Sequence, residues 1–341
     1  MKTAIITGFN GQDGNYLANL LINKNYNVVG TYRRSSRDLF KKKLIHPNLH
    51  KVKLEPCELT EFSNIYNLIK KYKPDEIYNL GAQSFVKESF SSPISTTNIN
   101  SLSVLYFLET IRLISKKTKF YQASTSEMYG NTHDNKYLNE EGKFEPRSPY
   151  GASKLYSHNL VKIYRNSYGL FACSGILFNH ESPLRGNEFV TKKITNSFAK
   201  ISLGIQKKIS LGNLEAKRDW GHAEDYVEAM YLMMQQKKSE DFVIATGKSY
   251  TVKKFVELAA NYFGYKINWK GNGVSTKGYD INSGKLLVDI DKKYFRPYDV
   301  ENLLGSSKKA KSKLKWKPKK NINDIVKEMC EYDLAILKNA K

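Results

Sequence analysis

Through the first half of the chain, short apolar runs alternate with segments long enough for helices. The candidate strands are Thr3 to Thr7, Asn27 to Tyr32, Glu76 to Leu80, Lys119 to Ser124 and Phe171 to Leu177. Each is apolar on both faces, as a strand must be when helices cover both sides of its sheet. The pattern predicts an α/β fold with a doubly wound parallel sheet. Pro74-Asp75 precedes one strand and Ser92-Pro93 opens a helix, which fits proline's fixed φ at such boundaries. After Phe178 the rhythm changes. Loops rich in charge and glycine (Ser182 to Gly186, Gly212 to Gly221, Gly271 to Gly284) separate helices predicted over Tyr226 to Gln236, Val252 to Phe263 and Ile325 to Leu337. This half reads as a smaller lobe covering one edge of the sheet.

A length of 341 residues suits about two lobes. The apolar run before Gly8 is too short for a leader or a membrane span, so the expectation is a cytoplasmic protein with no membrane partner. Cys57, Cys173 and Cys330 lie far apart with no C-x-x-C or Cys/His cluster, so neither a disulfide framework nor a metal site is expected. The net charge of +22 raises the question of nucleic acid. The lysines are scattered, however, with dense runs only at Lys41 to Lys43 and Lys308 to Lys320. A solvated basic surface with pockets for phosphorylated ligands accounts for them, and no nucleic-acid partner is expected.

Candidate chemistry begins at the first strand. Ile5 to Gly14 runs from that strand into a G-x-x-G-x-x-G turn through Gly8, Gly11 and Gly14. Glycines there let backbone approach a pyrophosphate, and the helix starting near Asp13 offers unpaired N–H groups to the anion. At the end of the second strand an NAD-binding chain carries an acid for the ribose 2′-hydroxyl. This chain has Arg33-Arg34-Ser35-Ser36 instead, whose guanidiniums and hydroxyls suit the 2′-phosphate of NADP. Further on, Tyr150 and Lys154 are four apart, on one face if the segment is helical. An ammonium beside a phenol favours the phenolate, making Tyr150 a candidate base near neutral pH. Tyr-x-x-x-Lys alone is common and usually structural. Ala123 to Glu127 follows a strand at the edge where such sheets place their chemistry, and Thr125 or a serine there could bond the same substrate oxygen as Tyr150. Glu127 adds a carboxylate that a plain dehydrogenase does not need.

With Gly8 to Gly14, Asn79 to Ser84, Thr125-Ser126-Glu127, Tyr150 with Lys154, and Leu177 to Pro183, the sequence resembles the GDP-mannose 4,6-dehydratases. Ser210 to Leu214, Lys217 to His222 and Tyr294 to Pro297 extend the resemblance over nearly the whole chain. It implies a Rossmann domain of the extended short-chain dehydrogenase/reductase kind over residues 1–178, with a return segment near 210–245. Residues 179–341 would mainly hold the nucleotide sugar. The implied reaction dehydrates GDP-mannose or GDP-D-glycero-D-manno-heptose to a 4-keto-6-deoxy product, with Thr125, Glu127, Tyr150 and Lys154 as catalytic residues. Implied cofactor contacts are Gly8, Asn10, Gly11, Gln12, Asp13, Gly14, Arg33, Arg34, Ser35, Glu58, Leu59, Leu80, Gly81, Ala82, Gln83, Tyr150, Lys154, His180 and Arg185. Implied substrate contacts are Ser84, Ser126, Asn179, Glu181, Lys193, Arg218 and Arg296. Against these, His180 could be a satisfied loop histidine, and Arg218 could pair only with Asp219.

Several positions depart from the family pattern. The stretch between Arg34 and Glu58 is short, which bears on whether the implied homo-oligomer is a dimer or a tetramer. Glu58 replaces an aspartate, Ser95 a tyrosine, and Asn98 and Asn100 stand for acids. Two other functions are compatible with parts of the sequence. A nucleotide-sugar epimerase or reductase would need the Ser/Thr, Tyr and Lys but not Glu127. A non-catalytic basic NADP- or nucleic-acid-binding protein would need none of them.

Overall fold

The computed structural model describes residues 1–33, 47–131, 137–294 and 300–339. The first half runs β1 (Thr3–Thr7), α1 (Gln12–Asn23), β2 (Asn27–Tyr32), β3 (Lys53–Pro56), α2 (Phe62–Tyr72) and β4 (Glu76–Asn79). It continues with α3 (Val86–Ser91), α4 (Pro93–Thr97), α5 (Ser103–Ile114), β5 (Lys119–Thr125), α6 (Pro149–Tyr168) and β6 (Ala172–Leu177). The second half runs β7 (Asn179–Glu181), α7 (Val190–Ser202), β8 (Ile209–Leu211), β9 (Lys217–His222), α8 (Ala223–Met234), β10 (Phe242–Ile244), β11 (Ser249–Thr251) and α9 (Val252–Tyr262). It ends with β12 (Ile267–Lys270), β13 (Lys277–Asp280), β14 (Leu286–Ile290), β15 (Asn302–Leu303) and α10 (Ile322–Asn339).

Among the described residues, seven parallel strands form the main sheet in the order β10-β6-β5-β4-β1-β2-β3. The strand order reverses between β1 and β4, which opens a crevice at their carboxyl ends. Helices α1 and α8 cover one face through a core that includes Leu17, Leu21, Tyr226 and Met230. Helices α2, α5 and α6 cover the other through Ile65, Phe107 and Val161. This is the doubly wound sheet that the alternating pattern predicts.

The second half holds more strand than its polar loops suggest. Gly212 to Gly221 is not all loop, because Lys217–His222 forms β9 at the centre of a small sheet with β7, β11 and β15. Gly271 to Gly284 likewise contains β13, inside the sheet β12-β13-β14-β8. Helices α7, α9 and α10 pack on these sheets through Phe198, Phe255 and Met329. β10, however, returns to the main sheet beside β6.

Local chemistry sets the site-bearing elements. Helix α6 starts at Ser148, whose hydroxyl accepts from the Gly151 N–H at 3.0 Å, with Pro149 in its first turn. Such a cap stabilises by about 1 kcal/mol. Gly169, at φ 65°, ends the helix in the left-handed region that glycine enters without strain. Helix α1 is capped differently: Gly11 offers no side chain, so its first N–H groups stay open to the crevice.

Candidate active site

The crevice holds a cavity of about 340 Å³ whose wall includes Gly8, Asn10, Gly11, Gln12, Asp13 and Gly14. A Cβ on Gly14 would stand 2.6 Å from the Phe9 carbonyl oxygen, and one on Gly8 2.9 Å from Gly81 Cα, so side chains are excluded where β1 turns into α1. The Thr7 hydroxyl joins the two sides of the strand-order reversal. It donates to Asn79 Oδ1 at 2.7 Å and accepts the N–H groups of Leu80 and Gly81 at 3.0 and 2.8 Å. Asn100 fixes the next segment by bonding both the N–H and the carbonyl of Gln83, at 2.9 and 3.0 Å.

The far wall comes from the ends of β5 and α6. Thr125 closes β5 and its hydroxyl accepts from the Glu127 N–H at 3.2 Å, which turns Glu127 into the cavity. Tyr150, in the first turn of α6, lines the same cavity and bonds Thr125 through its hydroxyl. One turn on, Lys154 donates to the Ala123 carbonyl at 2.9 Å. Thr125, Glu127, Tyr150 and Lys154 are all buried. Burial disfavours charge on both titrating groups of α6: it raises the Tyr150 phenol to about 12 and lowers the Lys154 ammonium to about 8. Burial sets the rise in the phenol, and the Thr125 bond opposes part of it.

His180 is a satisfied histidine, held on β7. Its Nε2 meets Asp13 Oδ2 at 2.8 Å and its Nδ1 meets the Phe178 carbonyl at 2.8 Å, while its ring stacks on Tyr226. Burial opposes both charges, yet their mutual attraction raises the imidazole's affinity for its proton and lowers the carboxyl's. Gln12 adds bonds to the His180 carbonyl and from the Ser182 hydroxyl, at 3.1 and 2.8 Å. The phosphate turn is thus fastened to β7, far along the chain.

A second compartment of about 170 Å³ adjoins the first, and Phe85, Asn179, Arg185, Glu188 and Phe189 line both. Glu181, Lys193 and Arg218 line it, with Trp220 and Tyr294. Lys193 donates to the Ser210 carbonyl at 2.7 Å and lies 3.4 Å from the Tyr294 ring centre. Arg185 reaches Glu181 at 3.1 Å and covers the Phe189 ring. Arg218 does not simply pair with its neighbour: it faces this compartment, whereas Asp219 turns away and accepts from Thr246, Gly247 and Gly305.

Most expected site residues therefore meet in one two-part cleft. Leu80, Gly81, Ala82, Ser84 and Ser126 line the first part. Arg33, Glu58, Leu59 and Gln83 line neither: Arg33 is exposed at the end of β2, and the Glu58 N–H donates to Asn64. Leu59 is buried where a Cβ on Gly81 would meet it, and the Gln83 amide turns to the Phe85 carbonyl. Arg34, Ser35 and Arg296 lie outside the described residues. Residues not anticipated are Phe85, Glu188 and Phe189, which form the waist. Ser95 is exposed, and Asn100 serves the wall rather than the pocket. Among the described residues no group of three or more His, Cys, Asp or Glu is placed to hold a metal ion. None of their helices is long and apolar enough to cross a membrane.

Fold and cleft together define a nucleotide-binding enzyme of the short-chain dehydrogenase/reductase architecture. The sequence model of the family described as GDP-mannose 4,6 dehydratase matches residues 5–329. The chain is 45% identical over 353 residues to the GDP-mannose 4,6-dehydratase of Vibrio cholerae, covering 98% of this chain and 94% of that protein. It is 46% identical over 349 residues to the human GDP-mannose 4,6 dehydratase, covering 99% and 92%. The crystal structure of a Thermotoga maritima UDP-glucose 4-epimerase with UDP-glucose superimposes with a TM-score of 0.81 at 23% identity, covering 99% and 100%, a likeness of fold. The chain belongs to the GDP-mannose 4,6-dehydratase family.

Proposed function

We propose that this chain removes water from a GDP-activated manno-configured sugar, GDP-mannose or GDP-D-glycero-D-manno-heptose, giving the 4-keto-6-deoxy product. The observation that carries the reading is one buried wall on which Thr125, Glu127 and Tyr150 face the same cavity, beside a glycine-walled anion cradle. Thr125 and Tyr150 suit a sugar oxygen that loses a proton. Glu127 supplies the second base that epimerisation or reduction does not require.

The cradle fits a dinucleotide, since Gly8 and Gly14 let β1 turn tightly into α1 against the neighbouring backbone and α1 leaves its first N–H groups open. Arg33 ends β2 where NAD specificity calls for an acid, which supports NADP. When bound, NADP supplies the acceptor for hydride from C4 and the donor to C6, together with a positive charge near the phenol. Thr125 orients O4 and Tyr150 takes its proton, with the Lys154 ammonium one turn along α6 favouring the phenolate. The resulting ketone at C4 acidifies C5. Glu127 removes the C5 proton and returns it to the departing C6 hydroxyl as water, which leaves a C5–C6 double bond. As C6 is reduced, C5 takes up a proton, which balances the one that Tyr150 took from O4. Asn179, Lys193 and Arg218 hold the GDP end, where planar and cationic donors match a diphosphate, while Glu181 accepts from the Arg185 guanidinium beside them. In this reading residues 1–178, with the β10 return, serve the cofactor, and the later residues mainly serve the sugar nucleotide.

The assembly is read as a cytoplasmic homo-oligomer. Helices α5 and α6 leave Leu113, Ile114, Tyr156 and Ile163 exposed, an apolar surface suited to a second copy. Cys57, Cys173 and Cys330 are buried free thiols, in keeping with a reducing compartment.

The test is incubation with each GDP sugar followed by mass spectrometry. Loss of one water without net NADPH is expected, and relative kcat/KM identifies the sugar. An unchanged mass with both sugars would refute the proposal.

A further inference from the structure

A third cavity, of about 320 Å³, lies outside the cleft, and residues of the basic run Lys308 to Lys320 border it. Lysines in that run divide into two sets. Lys309 and Lys313 pair with Glu240, Lys319 pairs with Glu228, and Lys320 pairs with Glu224 and Glu328. The lysines that border the cavity are Lys308, Lys311 and Lys317. Among the described residues the side chains of these three make no hydrogen bond or ion pair, and no carboxylate lines the cavity with them. Ser306 and Ser307 add two hydroxyls that bond no described residue, and the buried Trp316 forms an apolar wall.

Like charges gathered round one concavity repel, and an anion relieves that repulsion. Ammonium and hydroxyl donors beside an aromatic wall match an organic phosphate: the donors take the oxygens and the wall takes the ring or chain. We propose that this cavity is a second ligand site, for a nucleotide-sized organic phosphate bearing two or more negative charges. It is independent of the cleft yet mechanically close to it. Its floor includes Thr246, Gly247 and Gly305, whose N–H groups Asp219 accepts at 2.8, 2.8 and 3.4 Å. On β9 the preceding residue is Arg218, which lines the second compartment of the cleft.

The test uses holoenzyme whose cleft is saturated with NADP⁺ and GDP, at fixed ionic strength. Lysine acetylation is read by mass spectrometry with and without inorganic pyrophosphate. Several-fold protection of Lys308, Lys311 and Lys317, with exposed Lys315 unchanged, is expected. Uniform protection of all exposed lysines, or none, overturns the site. The variant Lys308→Gln/Lys311→Gln/Lys317→Gln replaces only exposed side chains, and its pyrophosphate affinity should fall at least about tenfold. Unchanged affinity in that variant overturns the site as well. ATP should bind the same holoenzyme more tightly than pyrophosphate. Equal binding overturns the nucleotide-sized ligand.

Discussion

The two compartments of the cleft are built on different principles. The first is built round a backbone cradle and short local motifs, namely a glycine turn, a strand end and one turn of helix, which are closed by β7 and the segment after it. The second is assembled from side chains carried by α7, β7, β9 and the segment before Tyr294, which converge only after folding. A backbone cradle has few ways to vary, so it serves a constant cofactor. A side-chain compartment can change residue by residue, so it is suited to discriminating among sugar nucleotides. The comparison predicts that damage in the first part stops chemistry, while damage in the second weakens binding.

The largest effect is expected for Glu127→Gln, which keeps shape and burial but cannot accept the C5 proton. Dehydration should fall by about 10²- to 10⁴-fold, the usual weight of one general base. NADP⁺ affinity should stay the same, because the cradle is untouched. Near-normal water loss by mass spectrometry would remove Glu127 from the proposed mechanism.

Arg218→Ala should do the reverse. Losing a charge-assisted bond to a phosphate costs about 1.5–3 kcal/mol, or about 10- to 100-fold in KM for the sugar nucleotide. Here kcat and the NADP⁺ dissociation constant should barely move. Equal weakening of NADP⁺ would show that the compartments do not work separately.

The same contrast explains what could be read from the chain before it folded. Gly8 to Gly14, and Tyr150 with Lys154, were legible because their function is local: one turn of backbone, one turn of helix. The doubly wound sheet was legible because strands buried on both faces, such as β1 and β2, are largely apolar. β9 was not. Its sequence, Lys217 to His222, is charged because it buries Arg218 and Asp219 for separate partners, so it carries no apolar signature. The Asp13–His180 bond and the Phe85–Phe189 waist were also hidden, since no spacing rule links residues so far apart. The resemblance named several residues of the second compartment, whereas geometry shows which of them share it.

A pH profile separates the compartments by a smaller margin. Burial depresses the Lys154 ammonium to about 8, and the charged form is the one that assists Tyr150. Activity should therefore be full below that value and decline as pH rises through it, by about tenfold at one unit above. The profile of kcat/KM reports this pKa in the free enzyme. Affinity for GDP alone should show no such step at 8, since Lys154 does not line the second compartment. A step of equal size in GDP binding would contradict the division.

The smallest effect tests how the second compartment holds its own cation. Lys193 is anchored twice, by the Ser210 carbonyl and by the face of Tyr294. Burial already lowers its affinity for a proton, and the Tyr294 hydroxyl offsets part of that cost. Tyr294→Leu keeps an apolar wall but removes the ring's quadrupole. The cation–π contribution is about 0.5–1 kcal/mol, so KM for the sugar nucleotide should rise by about two- to fivefold with kcat unchanged. Lys193→Met should cost more, because it removes the charge itself. If Tyr294→Leu instead lowers kcat with KM unchanged, the ring positions the sugar rather than the lysine, and the second compartment takes part in the chemistry after all.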